Sequence, residues 1–78
     1  MTPEQIKHYI EAGLACDHVE VAGDGHHFEA VIVSAAFRGK NKVQQHQLVY
    51  RALGEHMREA IHALSMQTCT PEDWAARS

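Results

Sequence analysis

The chain has 78 residues, a formal net charge of −3 and hydrophobic residues at 45% of its positions. A chain of this length forms one domain with a thin core and lacks the bulk for a deep substrate cavity. Its negative charge excludes a general electrostatic affinity for nucleic acid. No apolar run is long enough for a membrane span, and the first residues do not resemble a signal peptide. We therefore expect one cytoplasmic domain over residues 1–78.

The first part of the chain predicts a helix followed by a β-hairpin. Residues 2–5 (Thr-Pro-Glu-Gln) combine a capping residue, a proline at the first helical position and a capping box. The apolar stripe that follows predicts a helix ending near Ala15. Apolar residues alternate along residues 18–22, which predicts a strand. Residues 27–34 are rich in β-branched and aromatic side chains, which predicts a second strand. The Gly-Asp-Gly sequence at 23–25 predicts the tight turn between them.

The second part predicts a connection, a long helical segment, a strand and a short final helix. Residues 35–42 form the connection, and residues 43–60 have helical spacing with a break or kink near Gly54. Residues 61–69 alternate, which predicts a third strand, and residues 70–73 repeat the helix-start pattern of the N-terminus. The order is α-β-β-α-(α)-β-α. We therefore predict a two-layer α/β (α+β) sandwich, with a three-stranded mixed sheet and the helices on one face.

Several segments of the chain resemble the BolA family. They are FEAVIVS at 28–34 with FRGK at 37–40, QHQLVY at 45–50, IHALS at 61–65 and TPEDW at 70–74. The resemblance covers nearly the whole chain, and the short turn at 23–25 is similar to that of the IbaG-like bacterial subgroup. It implies a fold similar to class II KH domains. It also implies binding to a monothiol glutaredoxin with a shared 2Fe-2S cluster, and a role in iron handling, acid stress or transcriptional control.

The resemblance implies a metal-binding role for two histidines. His62 matches the family's invariant histidine, and the second ligand comes from the hairpin loop, where the chain offers His26 and His27. Neighbouring strand residues point to opposite faces, so we expect only one of this pair to reach a shared metal, and the choice stays open. Two imidazoles are too few for a closed metal site, which needs about four ligands. The isolated chain is therefore predicted to bind no cluster, with the glutaredoxin and glutathione supplying the other ligands. The alternative is that these histidines only cap strand ends.

The two cysteines, Cys16 and Cys69, do not have the spacing of an autonomous iron–sulfur site. We expect two reduced thiols, with Cys69 packed inside and Cys16 exposed in a loop and open to oxidation. The sequence contains no nucleophile elbow, P-loop or dinucleotide fingerprint, so we expect no enzyme activity. Alone, the protein is expected to be a monomer or a weak homodimer.

A nucleic-acid-binding regulator is the alternative function. Three basic side chains surround a glycine ahead of the long helix, and cations beside a helix N-terminus can bind phosphate. The second glycine of a KH-type Gly-x-x-Gly loop is absent, and the family's basic-His-basic motif is Gln-His-Gln at 45–47. Both departures weaken a role in DNA binding. The candidate DNA or partner contacts are Arg38, Gly39, Lys40, Lys42 and His46.

Overall fold

The computed structural model describes residues 1–58 and 61–77. Its helices and strands follow the predicted order. They are α1 (Pro3–Gly13), β1 (His18–Gly23), β2 (Phe28–Val33), α2 (Lys42–Leu53), β3 (Leu64–Cys69) and α3 (Pro71–Ala76), with 3₁₀ turns at Ala35–Phe37, Gly54–Met57 and Ile61–Ala63. No helix in these described segments is long and apolar enough to cross a membrane.

The sheet has the order β1-β2-β3 and is mixed, as predicted. β1 pairs antiparallel with β2, and β2 pairs parallel with β3. The antiparallel pair needs only the tight turn, whereas the parallel pair needs a crossover, which contains α2. In the parallel register Phe28 lies beside Leu64 and Val33 beside Cys69. The N-terminal ends of β2 and β3 therefore lie at the same end of the sheet.

The core lies between one face of the sheet and the two longer helices. Gly13 allows these helices to approach closely, because a Cβ atom there would lie 2.8 Å from the Cα atom of Ala52. The apolar stripe of α1 faces this core, which confirms its helical periodicity. The large side chains of this core with no exposed surface are Ile6, Ile10, Ile32, Phe37, Val49 and Leu53.

Local signals located the start of α1 and the end of α2 well. Thr2 and Gln5 form the predicted capping box. α1 ends at Gly13 rather than near Ala15, because Leu14 is already extended (φ −148°, ψ 128°). α2 ends at Leu53, where Gly54 takes φ 55° and starts a 3₁₀ turn, so the predicted break is a helix end. The predicted helical run ended at residue 60, and residues 59–60 lie outside the described segments.

Two features of the predicted sheet need correction. β2 and β3 begin later than predicted, at Phe28 and Leu64, and His62 lies in a 3₁₀ turn rather than in the third strand. The alternating pattern did not reveal this difference, because three residues are too few to distinguish the threefold period of a 3₁₀ turn from the twofold alternation of a strand.

The helices also do not all lie on one face. Val19 is buried under α1 and α2, so the adjacent His18 points to the opposite face. There its ring stacks on Trp74 of α3, with 5.0 Å between ring centroids.

Candidate metal-binding site

Three of the predicted ligands lie at the same end of the sheet. His26 and His27 directly precede β2, and His62 lies two residues before β3. Because β2 and β3 are parallel and Phe28 lies beside Leu64, the segments that lead into these two strands reach the sheet at the same end. All three histidines are exposed. We call this group (His26, His27 and His62) the histidine end.

The Asp24 carboxylate organises the loop that carries two of these histidines. Its Oδ1 accepts hydrogen bonds from the backbone N–H groups of His26 (2.8 Å) and His27 (2.9 Å). These bonds, first that of His27 and then that of His26, lower the pKa of the Asp24 carboxyl. The loop is thus held through its backbone. Neither imidazole makes a hydrogen bond within the described segments, which leaves both nitrogens available.

Gly23 makes the turn before these histidines sterically feasible. A Cβ atom at this position would lie 2.4 Å from the carbonyl oxygen of His27 and 2.5 Å from the Phe28 ring. The sequence identified Gly23 and Asp24 only as turn residues. Their effect on the histidine loop depends on contacts across the hairpin, for which residue type alone gave no signal.

The structure leaves the choice between His26 and His27 open. The argument from strand alternation does not apply to them, because β2 begins only at Phe28 and both histidines belong to the turn. Within residues 1–58 and 61–77, no three His, Cys, Asp or Glu side chains are grouped so as to hold a metal ion.

The cysteines lie away from this end. Cys69 is half-buried beside Val33, at the opposite end of the sheet. Cys16 is also half-buried, and its thiol donates a hydrogen bond to the Leu14 carbonyl oxygen at 3.3 Å. Burial, with smaller contributions from the charges of Glu11 and Asp17, raises the pKa of the Cys16 thiol to about 11. The expectation of an exposed, oxidisable Cys16 is therefore wrong, since so little thiolate forms at neutral pH.

The predicted basic patch is largely engaged within the molecule. Arg38 donates two hydrogen bonds to the carboxylate of Glu72, at 2.8 and 2.5 Å. The Lys42 ammonium donates to the backbone carbonyl of Thr68. The Lys40 side chain is exposed, beside Gly39 at φ 75°, and no ion pair joins it to another described residue. His46, the remaining candidate contact, is half-buried on α2.

Gln45 is a buried structural residue that sequence reasoning missed. Its Nε2 donates to the carbonyl oxygens of Phe37 (3.3 Å) and Lys40 (2.9 Å). Its Oε1 accepts from the Thr68 hydroxyl at 2.7 Å. The sequence showed only that position 45 lacks the positive charge of the family's basic-His-basic motif. The structure shows a side chain that joins the connection after β2 to the last strand.

Fold and site together define a small α/β domain with three exposed histidines at one end of its sheet. The chain belongs to the BolA family, since the model of this family (BolA-like protein) matches residues 2–73. The structure of a BolA homologue from Coxiella burnetii superposes with a TM-score of 0.86 at 47% identity, covering 96% of this chain and 97% of that one. The predicted family and fold are thereby confirmed.

Two relatives show how far the similarity extends. The DNA-binding transcriptional regulator BolA of Haemophilus influenzae is 44% identical over 61 residues, which are 78% of this chain and 59% of that protein. The acid stress protein IbaG of Escherichia coli K12 is 36% identical over 76 residues, covering 96% of this chain and 90% of that protein. The match to BolA-like protein 1 of mouse likewise spans 52% of that protein. The chain therefore corresponds to only part of some relatives and to most of IbaG.

Proposed function

We propose that this protein is a cytoplasmic adaptor that binds a monothiol glutaredoxin and shares a 2Fe-2S cluster with it. Membership of the BolA family supports this proposal. The observation that carries the proposal is the histidine end. Because β2 pairs in parallel with β3, the two segments that bear these histidines lie at the same end of the sheet. The role in acid stress named for the Escherichia coli relative is compatible with such an adaptor.

The donor set fits a shared cluster in type, exposure and number. Neutral imidazole is a suitable ligand for iron, and histidine ligands occur on one iron of Rieske-type clusters. His62 and one of His26 and His27 would supply two ligands, and all three side chains are accessible to a partner. A glutaredoxin cysteine and glutathione would supply the rest. With this division of ligands, we expect the isolated chain to hold no cluster.

The test is to purify the protein together with the monothiol glutaredoxin of its own organism under anaerobic conditions. The mixed complex should show visible absorption and circular dichroism that differ from those of the glutaredoxin alone. His62→Ala should change this spectrum or abolish it. His8→Ala is the matched control, because His8 is an exposed histidine on α1, outside the histidine end. An H62A complex with the wild-type spectrum would remove His62 from the ligand set.

The same complex distinguishes the two loop histidines. His26→Ala and His27→Ala are made separately, and only one is expected to reproduce the spectral change of H62A. Amide spectra of each free variant show whether the hairpin is intact, which separates loss of a ligand from loss of structure. A wild-type spectrum from the double variant (His26→Ala with His27→Ala) would show that the loop supplies no ligand to the cluster. That result would contradict the proposed site.

DNA binding is the second candidate. It is favoured by the DNA-binding role named for the Haemophilus influenzae relative and by the exposed side chain of Lys40 near the N-terminus of α2. The engagement of Arg38 and Lys42 elsewhere leaves few cations for phosphate contacts. Such binding should weaken with salt, with a logarithmic slope of about −0.9 per phosphate contact. Lys40→Ala should reduce it more than Lys7→Ala. A gel-shift assay showing no complex with duplex DNA at low salt would remove this candidate.

A further inference from the structure

We propose that the outer edge of β1 binds an extended, positively charged polypeptide segment as an added strand. β1 is an edge strand, paired on one side with β2. Edge strands present unpaired backbone donors and acceptors to any strand that fits beside them. This surface is separate from the histidine end, and the inference does not depend on the proposed function.

The hydrogen-bond pattern shows which residues of β1 face outward. The Ser34 N–H donates to the Cys69 carbonyl, so the even-numbered residues of β2 direct their backbone groups towards β3. The odd-numbered ones then pair with β1, consistent with the bond from the Asp24 N–H to the His27 carbonyl. It follows that Val19 and Val21 direct their own N–H and C=O groups to the outer edge.

A groove with a volume of about 550 Å³ follows this edge and reaches both faces of the sheet. On the helix side it is lined by the first turns of α1 with Val19 and Val21. On the exposed face it is lined by Glu20, Ala22, Glu29 and Val31. Valine and alanine side chains make the strand part of the groove largely apolar, which suits the β-branched residues of an added strand. The lining residues that the argument uses are Val19, Val21, Val31, Glu4, Glu20 and Glu29.

The charged side chains that line the groove indicate which kind of segment would bind there. Three of its lining residues are acidic (Glu4, Glu20 and Glu29) and one is basic (Lys7). Glu20 also lies 3.1 Å from Nε2 of the neighbouring His18. An added strand would place alternate side chains beside Glu20 on the exposed sheet face, where lysine or arginine would be stabilised. A second copy of this chain, paired through its own β1, would bring two Glu20 carboxylates onto the same face, which is unfavourable. The geometry therefore points to a segment in which basic and apolar residues alternate.

The other edge of the sheet does not offer an equivalent site. The Cys69 carbonyl faces β2, so the Thr68 carbonyl faces the outer edge of β3. The Lys42 ammonium bonds to this carbonyl. A lysine at an edge strand is a common way of preventing strand addition. A basic strand would meet a positive charge there, whereas at β1 it meets carboxylates.

The experiment uses the intact chain and the peptide acetyl-Lys-Val-Lys-Val-Lys-Val-amide, with the same peptide carrying glutamate in place of lysine as its control. In an amide NMR titration the basic peptide should shift the signals of Val19 and Val21 and slow their hydrogen exchange. Glu20→Lys should weaken binding about tenfold, since it replaces an attractive cross-strand pair by a repulsive one. Glu11→Lys, with the same charge change outside the groove, should have little effect.

Three results would overturn the proposal. One is binding of the glutamate peptide as tightly as the lysine peptide. Another is a set of shifts spread over all acidic surfaces with Val19 and Val21 unaffected, which would indicate non-specific attraction. The third is a concentration-dependent dimer formed through β1 in the absence of peptide, measured by sedimentation. Val21→Pro removes an edge N–H, and it should weaken binding without changing the charge of the groove.

Discussion

The two ends of the sheet use histidine in different ways. At the histidine end the side chains are exposed on a turn and a 3₁₀ segment. At the opposite end, His18 stacks on Trp74, and its Nε2 is shielded from solvent and lies 3.1 Å from Glu20 Oε2. We call this second region (His18, Val33, Cys69 and Trp74) the closed end. A histidine-rich composition therefore does not identify ligands, since the environment of each ring decides whether a metal or partner can reach it.

The closed end is held by contacts that start far apart in the chain. Arg38 reaches Glu72 across 34 positions, and Gln45 reaches Thr68 across 23. At the histidine end, the loop that carries His26 and His27 is held by local bonds, since Asp24 accepts from residues two and three positions away. Substitutions at the closed end should therefore affect global stability, and substitutions in the loop should act on the site.

The largest loss of stability is expected from Gln45→Met. This change keeps a long side chain but leaves the Lys40 carbonyl and the Thr68 hydroxyl without their buried partner. The Phe37 carbonyl loses the bond from Gln45 and keeps that from the Lys40 N–H. The free energy of unfolding should fall by about 2–4 kcal/mol, as measured by urea denaturation. Gln47→Met is the control, because this neighbour is exposed, and it should change stability by less than about 0.5 kcal/mol. Equal effects of the two variants would contradict the role assigned to Gln45.

Gly23→Ala should have the next largest effect, and it tests the histidine end. The new methyl group would collide with the His27 carbonyl and the Phe28 ring, which must move, at a cost of about 1–3 kcal/mol. The Phe28 ring signals should shift in NMR spectra, and the cluster spectrum of the glutaredoxin complex should weaken. Gly25→Ala is the comparison, since its site has open space but φ 95°, so it introduces backbone strain without a collision. Unchanged Phe28 signals in G23A would show that the turn tolerates a side chain.

A smaller effect is expected when the pair between Arg38 and Glu72 is removed, since exposed ion pairs contribute little. The hydrogen bond from Arg38 is the main cause that lowers the pKa of Glu72 below its usual 4.5. The pair's contribution is therefore complete above pH 4.5 and is lost as the pH falls through the folded-state pKa. Arg38→Ala should make the emission of Trp74, the single tryptophan, less dependent on pH in this acidic range. The same acid titration curve in wild type and R38A would contradict this coupling.

The smallest change in stability is expected from Asp24→Ala, whose effect should be confined to the loop. The amide protons of His26 and His27 should exchange faster, because their common acceptor is gone. The pKa of Asp24 is lowered from 3.8, so in the wild type this order is present above pH 3.8 and is lost as the pH falls through the lower folded value. Asp24→Asn retains an acceptor oxygen and should preserve slow exchange at neutral pH. Fast exchange in D24N as well would show that the charge, and not the acceptor, orders the loop.

Local signals in the sequence predicted much of the fold. The capping box at Thr2, the proline starts of α1 and α3, and the β-branched and aromatic residues of β2 are each signals from a few neighbouring residues. The start of β3 was misplaced, because the 3₁₀ turn that contains His62 forms where the chain enters the sheet after a crossover. That geometry depends on the whole domain and has no local sequence pattern.

The candidate site, like the fold, could be predicted from the sequence only in part. Residue type and the family resemblance selected His26, His27 and His62, and the parallel register then showed that their segments share one end of the sheet. The hydrogen bonds that engage Arg38 and Lys42 could not be predicted, because Glu72 and the Thr68 carbonyl are distant from them in sequence. The same is true of Cys16, whose thiol is shielded by packing that its loop position did not indicate.

The sequence by itself determined the order of the elements, the helix starts, the hairpin and the family, because these depend on local propensity and on residues in fixed order. Only the tertiary structure decided which cations are engaged, which histidine is stacked under Trp74 and which edge of the sheet is open. These properties depend on side chains brought together by the parallel pairing of β2 with β3 and by the return of α3 over His18. Their energies come from burial and hydrogen bonding between distant segments, which exist only in the folded chain.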